Sequence, residues 1–330
     1  MPILGIANFV CIFFAERDGH NHRMYNARMN SDEVLRAGAI LAKTHAVSDG
    51  KSFKLKDCNP AQTNGLKGVG KAESKDLLEA SVGVMADLQD MLYAQDHWSL
   101  LLIFQAMDAA GKDGVIKHVM SGINPQGCEV HSFKAPSTEE LDHDFMWRSM
   151  RRLPARGNIG IFNRSYYEEV LIVRVHGEIL QGQKIPPTLV TKDIFTERQA
   201  DIRKIEGYLA RNGTVVRKFF LNISRAEQKR RFLERIDNPE KNWKFSATDI
   251  HERQHWDAYM DAYESMIQST STEGAPWFVI PADNKWYTRM AVSGIIVDTM
   301  AALNLHYPKV SQQRLAQLKE ARAILMAQKD

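Results

Sequence analysis

Five short apolar runs constrain the fold more than any other feature of this 330-residue sequence. Taken as a set, the runs are mostly apolar rather than alternating, and longer helical or loop segments separate them. Runs of this kind are typical of strands that helices cover on both faces. They cover residues 99–106, 128–135, 158–163, 214–222 and 276–282. The alternation of strand and helix predicts an α/β fold with a doubly wound, mostly parallel, five-stranded sheet flanked by helices.

The helical segments have recognisable start and stop signals. Ser224 followed by Glu227 predicts a capping box that opens a basic helix, and the breaker at 237–239 closes it. A second helix is expected from about Ser246. Other helices are predicted at 75–95, 286–303 and 310–328. In the clearest case, 75–95, the apolar residues recur at three- and four-residue steps, which indicates that one side of the helix faces the core.

The segment AMDAAGKDG (Ala106–Gly114) directly follows the first apolar run and leads into a helix beginning near Lys112. Small residues allow backbone N–H groups to surround phosphate oxygens, and the lysine adds a positive charge. The segment is a variant of the P-loop, or Walker A motif. The hydroxyl residue that normally follows the lysine and binds magnesium is Asp113 here, so Asp108 or Asp113 must be considered in its place. Gly111, Lys112, Asp113 and Gly114 are therefore candidate phosphate-binding residues.

The third apolar run ends in Asn163, Arg164 and Ser165. In a parallel sheet this end lies beside the phosphate-binding turn, so Arg164 is well placed to contact phosphate. An ordinary surface arginine is the alternative. Glu168 and Glu169 follow, and they are candidates for binding metal or nucleotide. Acidic residues also occur at helix starts merely because the helix dipole favours them there.

The basic helix after the fourth run predicts a lid. Its basic residues are Arg225, Lys229, Arg230, Arg231 and Arg235. Such runs are usually solvated helix faces, and acidic neighbours could pair with some of them. In small phosphoryl-transfer enzymes, however, a mobile basic lid neutralises the transferred group and excludes water. We therefore expect a lid at about 224–250, with Arg231 and Arg235 facing the phosphates.

Composition restricts the class of protein. A formal charge of +3 does not indicate a nucleic-acid partner, and the three cysteines have no CxxC spacing, which fits a reducing cytoplasm. The apolar stretch 1–14 is too short to span a bilayer and lacks a basic n-region, so no membrane association is expected. Met24 and Met29 are alternative translation starts. The sequence predicts a cytoplasmic protein.

Taken together, these motifs resemble the polyphosphate kinase 2 family over roughly residues 50–307. The matching segments are FKLKD (53–57), QAMDAAGKDG (105–114), NPQG (124–127), IGIFNRS-x-YE (159–168), VRVH (173–176), RRFLERIDNPEKNWKFS (230–246) and PADNKWY (281–287). The Asn-Arg-Ser form is similar to the class III subgroup, whose members phosphorylate nucleoside monophosphates as well as diphosphates. Tyr166 departs from the histidine that class III members often have there, which puts the acceptor site in question. Residues 1–50 have no recognised counterpart.

The resemblance implies in-line, magnesium-assisted transfer of a phosphoryl group from inorganic polyphosphate to AMP or ADP, with Mn²⁺ able to replace Mg²⁺. It implies that Asp108 holds the metal and that Lys112 and Arg164 bind phosphates. Asn163, Glu168 and Arg174 would place the nucleotide, and the lid arginines would close over the end of the polyphosphate chain. It also implies a homo-oligomer, with residues 1–50 as an unassigned extension, 51–307 as the phosphotransferase domain and 308–330 as a C-terminal helix.

A long polyanionic donor requires a basic groove. Lys54, Lys56, Lys67, Lys71 and Lys117 are the candidates to line it. Each of them taken alone could be an ordinary solvated lysine, so the groove is a hypothesis about the set.

Three other functions remain open at this point. His251, Glu252 and His255 form an HExxH string, which in a zinc peptidase would supply two metal ligands and a base. No third ligand stands at a recognisable spacing. The same turn could also belong to a non-catalytic sensor of nucleotide or polyphosphate. Finally, an ATP-dependent nucleotide kinase could share the fold.

Overall fold

The computed structural model describes residues 30–63 and 71–328 and contains one mixed sheet. Within these residues the strands are β1 (Ala46–Val47), β2 (Ser99–Gln105), β3 (Cys128–Ser132), β4 (Ile159–Asn163), β5 (Thr214–Asn222) and β6 (Trp277–Pro281). Their order across the sheet is β1-β6-β5-β2-β4-β3. All neighbours pair in parallel except β1, which is antiparallel to β6. The five predicted strands and the doubly wound fold are confirmed, and β1 is a sixth strand that was not predicted.

The central strands are buried on both faces, as their apolar runs predict. All seven residues of β2 are buried, as are all five of β6. The edge strand β3 is different, because its residues are exposed or half-buried and Val130 is 50% exposed. The prediction that residues 128–135 are covered on both faces was therefore wrong. Among the described strands it pairs with β4 alone.

Helices lie between the strands. Among the described residues they are α1 (Ser31–His45), α2 (Lys71–Gln95), α3 (Lys112–Val119), α4 (Thr138–Leu141), α5 (Trp147–Met150), α6 (Ile172–Val175), α7 (Glu178–Gln181), α8 (Ile194–Arg211), α9 (Arg225–Asp237), α10 (Ala247–Gln254), α11 (Trp256–Thr270), α12 (Lys285–Ala301) and α13 (Gln312–Ala327). The helix expected from Ser246 is in fact two helices, α10 and α11, with a break at His255. None of the described helices is long and apolar enough to cross a membrane.

The start of α9 differs in detail from the predicted capping box. The Ser224 hydroxyl accepts a hydrogen bond from the Glu227 N–H, as expected. The Glu227 carboxylate does not return the bond but pairs with arginines of its own helix. The Ser224 N–H donates instead to the Asp283 carboxylate, which follows β6. The cap thereby ties the predicted lid to the sheet.

Helix α1 and strand β1 belong to the same core as the rest of the sheet. Val34 and Leu41 of α1 are buried in that core, and Ala46 pairs with Phe278 of β6. Gly38 faces Gly294 of α12 so closely that a Cβ on Gly38 would lie 2.5 Å from the Gly294 carbonyl oxygen. The predicted boundary at residue 50 therefore does not coincide with a structural break. The expectations for residues 1–14, Met24, Met29 and Lys67 lie outside the described residues.

Candidate active site

The turn between β2 and α3 has two residues in the left-handed region. Ala109 has φ 62° and Gly111, which precedes α3, has φ 105°. Glycine adopts this conformation at little cost, whereas for alanine it costs about 1 kcal/mol. A strained alanine that persists next to a helix N-terminus is typical of functional turns. The predicted phosphate-binding turn is thus a distinct backbone structure and not only a sequence pattern.

The Lys112 side chain folds back over this turn. Its ammonium group donates to the Ala106 carbonyl oxygen at 2.9 Å. Burial, and then the positive charge of Arg164, lower its pKa, while the carboxylates of Asp108 and Glu168 oppose that shift. A buried ammonium group at the N-terminus of a helix suits an anionic ligand, whose negative charge would favour the charged form of the lysine.

Arg164 follows β4 in a left-handed conformation, with φ 64°. Its N–H donates to the Phe104 carbonyl oxygen at the end of β2. Its guanidinium lies 3.1 Å from the Asp108 carboxylate and 3.8 Å from that of Glu168. Burial lowers the pKa of Arg164, but the two carboxylates outweigh burial and raise it above the ordinary value. Arg164 is therefore a fixed positive charge beside the turn.

Glu168 completes a compact group of opposite charges with Asp108, Lys112 and Arg164. Burial raises the pKa of the Glu168 carboxyl, and the positive charges of Arg164 and Lys112 counteract that shift. The four residues come from the ends of β2 and β4, which are neighbours in the sheet. The structure thus brings together at one edge the residues that the sequence proposed as catalytic and one that it proposed for nucleotide binding.

Asn163 and Asp113 are joined to each other. The Asn163 amide donates to the Asp113 carboxylate at 2.7 Å, which links the end of β4 to the first turn of α3. One oxygen of Asp113 is therefore engaged by protein. Asp108 also has one oxygen bonded to protein, by Arg164, but it is half-buried whereas Asp113 is exposed, so it is the better placed of the two carboxylates that the sequence offered for magnesium.

Asp249 on α10 also faces this site, and sequence reasoning did not single it out. Burial, and then the negative charge of Asp108, raise the pKa of the Asp249 carboxyl, while Arg235 and Arg164 lower it. A carboxylate near the start of a helix is common for helix-dipole reasons alone, so the sequence carried no specific signal. Gln228 was missed as well, and its amide donates to the Asp108 carbonyl oxygen at 3.0 Å.

Arg231 has a different role in this structure from the predicted one. Its side chain is buried, and all five of its N–H donors are bonded to protein oxygens. They donate to the Glu227 carboxylate and to the carbonyl oxygens of Ala109, Ala110, Ala282 and Asp283. No donor remains for phosphate. Arg231 fastens the phosphate-binding turn to the end of β6 instead of closing over a ligand.

The other basic residues of α9 are more exposed. Arg235 lies 3.7 Å from the Asp249 carboxylate, so it remains next to the site. Arg230 pairs with Glu227 on the helix surface. Arg225 and Lys229 are exposed. Arg235 is therefore the lid arginine whose position best fits the predicted phosphate contact.

The candidate groove lysines are only partly described. Lys54, Lys56 and Lys117 are exposed. The segment that carries the first two is fastened to the carboxyl edge of the sheet, where Asn222 donates to the Cys58 carbonyl oxygen. Lys67 lies outside the described residues. Lys71 is the first residue of α2.

Arg174, the candidate for nucleotide binding, donates to the Ser265 hydroxyl at 2.8 Å.

Tyr166 stands where related sequences often have histidine, a difference that put the acceptor site in question. Its side chain does not line that site. It is 1% exposed, and its hydroxyl donates to the Glu206 carboxylate at 2.9 Å. Tyr167 donates to the same oxygen, and the fully buried Lys218 lies 2.6 Å from the other oxygen. Tyr166 therefore belongs to a buried network beneath the strained Arg164 turn.

The HExxH string does not form a zinc site. Its Glu252 accepts hydrogen bonds from a tyrosine and lies against His176, while His251 is exposed. Across residues 30–63 and 71–328, no group of three or more His, Cys, Asp or Glu side chains is arranged to hold a metal ion. Magnesium makes smaller demands, since it binds through one or two carboxylates together with water and substrate phosphates. Asp108 and Asp249 are carboxylates of the kind that this ion binds.

Comparison with known proteins identifies the family of this chain. Residues 68–308 match the family model described as Polyphosphate kinase 2. The chain is 54% identical over 257 residues to an ADP-polyphosphate phosphotransferase of Rhodopseudomonas palustris, covering 78% of this chain and 89% of that protein. It is 43% identical over 267 residues to an AMP/ADP-polyphosphate phosphotransferase of Meiothermus ruber, covering 81% and 96%. The crystal structure of polyphosphate kinase 2 from Arthrobacter aurescens superimposes with a TM-score of 0.79 at 41% identity, covering 87% of this chain and 97% of that one.

Proposed function

This chain belongs to the polyphosphate kinase 2 family, and on that premise we propose that it transfers phosphoryl groups from inorganic polyphosphate to AMP and ADP. Its relatives are named for both kinds of acceptor. The observation that carries the proposal is the group of Asp108, Lys112, Arg164 and Glu168 at the carboxyl edge of β2 and β4. Two cations and two carboxylates beside a phosphate-binding turn suit transfer between two polyanions.

The chain's own residues would act by position and charge. The N–H groups at the start of α3 and the Lys112 ammonium bind phosphate oxygens. Arg164, fixed by its left-handed backbone and by Asp108, neutralises charge that spreads over the transferred group. Arg235, and the exposed lysines near the edge of the sheet, would hold the remaining polyphosphate. The transfer proceeds in line and needs no covalent enzyme intermediate.

Asp108 and Asp249 would hold Mg²⁺, with Mn²⁺ as a substitute. Burial and the charge of Asp108 already disfavour the ionised form of Asp249, and a bound cation would relieve that cost. Held there, Mg²⁺ would supply positive charge that offsets the negative charge of the phosphates. Glu168, Asn163 and Arg174 would orient the acceptor nucleotide.

The test is to mix the purified protein with long-chain polyphosphate, Mg²⁺ and either AMP or ADP, without ATP, and to follow the nucleotides by chromatography. We expect ADP and ATP to form from AMP, and ATP to form from ADP. Lys112→Ala should lower the rate at least about 100-fold, because it removes a charge that contacts the transferred phosphates. The matched control is Lys75→Ala, which changes an exposed lysine that pairs with Glu79 on the surface of α2, and it should keep the full rate.

Each alternative predicts another result. Conversion of ADP but not AMP would restrict the acceptors to diphosphates. No transfer from polyphosphate, together with transfer from ATP, would make the protein an ATP-dependent nucleotide kinase. Binding of polyphosphate without any turnover would make it a sensor. Chelation of divalent cations should abolish transfer, and Mg²⁺ or Mn²⁺ should restore it.

We also propose that the protein acts in the cytoplasm as a homo-oligomer. Cys58 and Cys128, the cysteines of the described residues, are not bonded to each other, as a reducing compartment would require. Helix α13 leaves apolar side chains exposed, among them Leu318 and Leu325, which a second subunit could cover. Light scattering at several concentrations would measure the mass in solution.

A further inference from the structure

Helix α10 carries three charged side chains, and each contacts a different part of the protein. Asp249 faces Arg235 and Asp108 of the phosphate-binding turn. Arg253 donates to the Arg225 carbonyl oxygen at 2.9 Å and to the Gln228 side chain at 2.7 Å, so it joins α10 to α9. The third charged side chain, Glu252, points to neither of these elements.

Glu252 instead joins α10 to the body of the molecule. One of its oxygens lies 2.9 Å from Nε2 of His176 and accepts a hydrogen bond from the Tyr259 hydroxyl at 2.5 Å. The other ring nitrogen of His176 lies 3.4 Å from Glu178, and the His255 ring packs edge-on against the His176 ring. About a fifth of each side chain of the His176–Glu252 pair is exposed, so the contact is largely shielded from water.

This contact lies one helical turn from Asp249. Both residues belong to the same short helix, so a contact that fixes Glu252 also limits how far Asp249 can move, although the two side chains face different neighbours. His176 follows α6, at the end of the segment that begins with Arg164 and Glu168. The segment that provides one half of the site therefore also provides the anchor for the helix that carries Asp249.

We propose that Glu252 is a positioning residue for the phosphoryl transfer. Held by His176 and Tyr259, it sets the orientation of α10 and thereby brings Asp249 to Asp108. The inference rests on the proposed function, because it gives Glu252 a role in that reaction. The proposal also gives Glu252 of the HExxH string and His176 of the VRVH segment a role that requires no bound metal.

The first experiment compares Glu252→Ala with His251→Ala, a neighbouring exposed residue of the same helix. Turnover and KM for polyphosphate are measured, together with hydrogen–deuterium exchange of residues 247–254 without substrates. Glu252→Ala should lower kcat about 10- to 100-fold, since misplacement of a reacting geometry by about 1 Å has effects of that size. KM for polyphosphate should change less than about twofold. Exchange in α10 should rise, and His251→Ala should change none of these quantities.

A second experiment tests whether the three residues act as one unit. Tyr259→Phe removes a single hydroxyl from a buried ring and should lower kcat in the otherwise normal protein. In the Glu252→Ala background the same substitution should have no further effect, because the hydroxyl has lost its acceptor. His176→Gln keeps a hydrogen-bond donor and should retain more activity than His176→Ala.

Three results would overturn the inference. Faster exchange in α10 with unchanged kcat would make the contact merely structural. Lower kcat with unchanged exchange would mean that Glu252 acts without positioning the helix. Additive effects of Tyr259→Phe and Glu252→Ala would show that the two act separately. If the unmodified protein transfers nothing from polyphosphate, the proposed function fails, and exchange alone then decides whether Glu252 holds α10.

Discussion

His45 is a buried histidine whose charge state affects stability. It ends α1, its Nε2 lies 2.9 Å from the Tyr287 hydroxyl, and burial lowers its pKa from 6.5 to about 4. As pH falls through 6.5 the unfolded chain takes up a proton that the folded protein does not. The stability that His45 contributes is therefore complete above about pH 6.5 and decreases toward pH 4, by up to about 1.4 kcal/mol per pH unit.

Urea unfolding at pH 7 and pH 5 measures this effect. The His45→Gln variant should lose less unfolding free energy between the two pH values than the unmodified protein. His251→Gln, an exposed histidine, is the control and should follow the unmodified protein. Equal losses in all three proteins would mean that His45 is protonated in the folded state as easily as in the unfolded chain.

Arg231→Lys distinguishes a structural clamp from a substrate ligand. Lysine has three donors where arginine uses five, so carbonyl oxygens of the phosphate-binding turn lose their partners. We expect the free energy of unfolding to fall by about 2 to 4 kcal/mol. Arg235→Lys, which changes a longer and more exposed pair, should cost less than about 1 kcal/mol. Unchanged stability with a higher KM for polyphosphate would restore the role predicted from the sequence.

Whether the contacts of a residue could be predicted depends on how far apart its partners lie in the sequence. Lys112 could be identified from the sequence because a phosphate-binding turn is local, with its glycine, lysine and helix start all within a few residues. The role of Arg231 could not, since its carbonyl partners come from two distant loops. Asp249 was missed for the same reason, as its neighbour Asp108 is adjacent only in the folded protein.

At the scale of elements, the contact between α1 and α12 depends on the absence of side chains. A Cβ on Gly38 would meet backbone at 2.5 Å, and backbone cannot move aside as the end of a long side chain can. Gly38→Ala should lower the free energy of unfolding by about 1 to 3 kcal/mol. Gly83→Ala in α2 is the matched control, because nothing lies within 4 Å of its Cβ, and it should be neutral or stabilise by up to about 1 kcal/mol.

Thermal melting of the two variants checks this expectation. Similar melting temperatures for Gly38→Ala and Gly83→Ala would mean that α1 can shift away from α12 without loss. The comparison separates close helix packing from the general effect of adding a methyl group to a helix.

Whether an element could be predicted depends on how many residues its apolar or periodic pattern spans. The five parallel strands each carry a run of at least five residues, and the longer helices carry several turns of periodic pattern. Strand β1 has two residues, and its pairing with β6 depends on a partner more than 200 residues away. The exposed strand β3 was predicted correctly as a strand but not as an edge, although its polar residues Glu129, His131 and Ser132 fit a strand that is not covered on both faces.

At the scale of the whole molecule, helix α13 is separate from the core. None of its 16 residues is buried, and the family model ends before it, at residue 308. A chain ending at residue 308 should therefore melt within about 2 °C of the full chain, since no core contact is lost. Differential scanning calorimetry measures the change. A clear decrease would show that α13 packs against a second subunit in solution.

The pairing of β1 with β6 has a consequence for the growing chain. Val34, Leu41 and Ala46 are made early, whereas Phe278 and the rest of their cover are made about 230 residues later. At translation rates of about 5 to 20 residues per second, that interval is roughly 10 to 50 s. During this time the buried face of α1 lacks β6 and α12, which supply most of its cover. We therefore expect the half-made chain to be a client of ribosome-associated chaperones, although the finished protein encloses the same residues in its core.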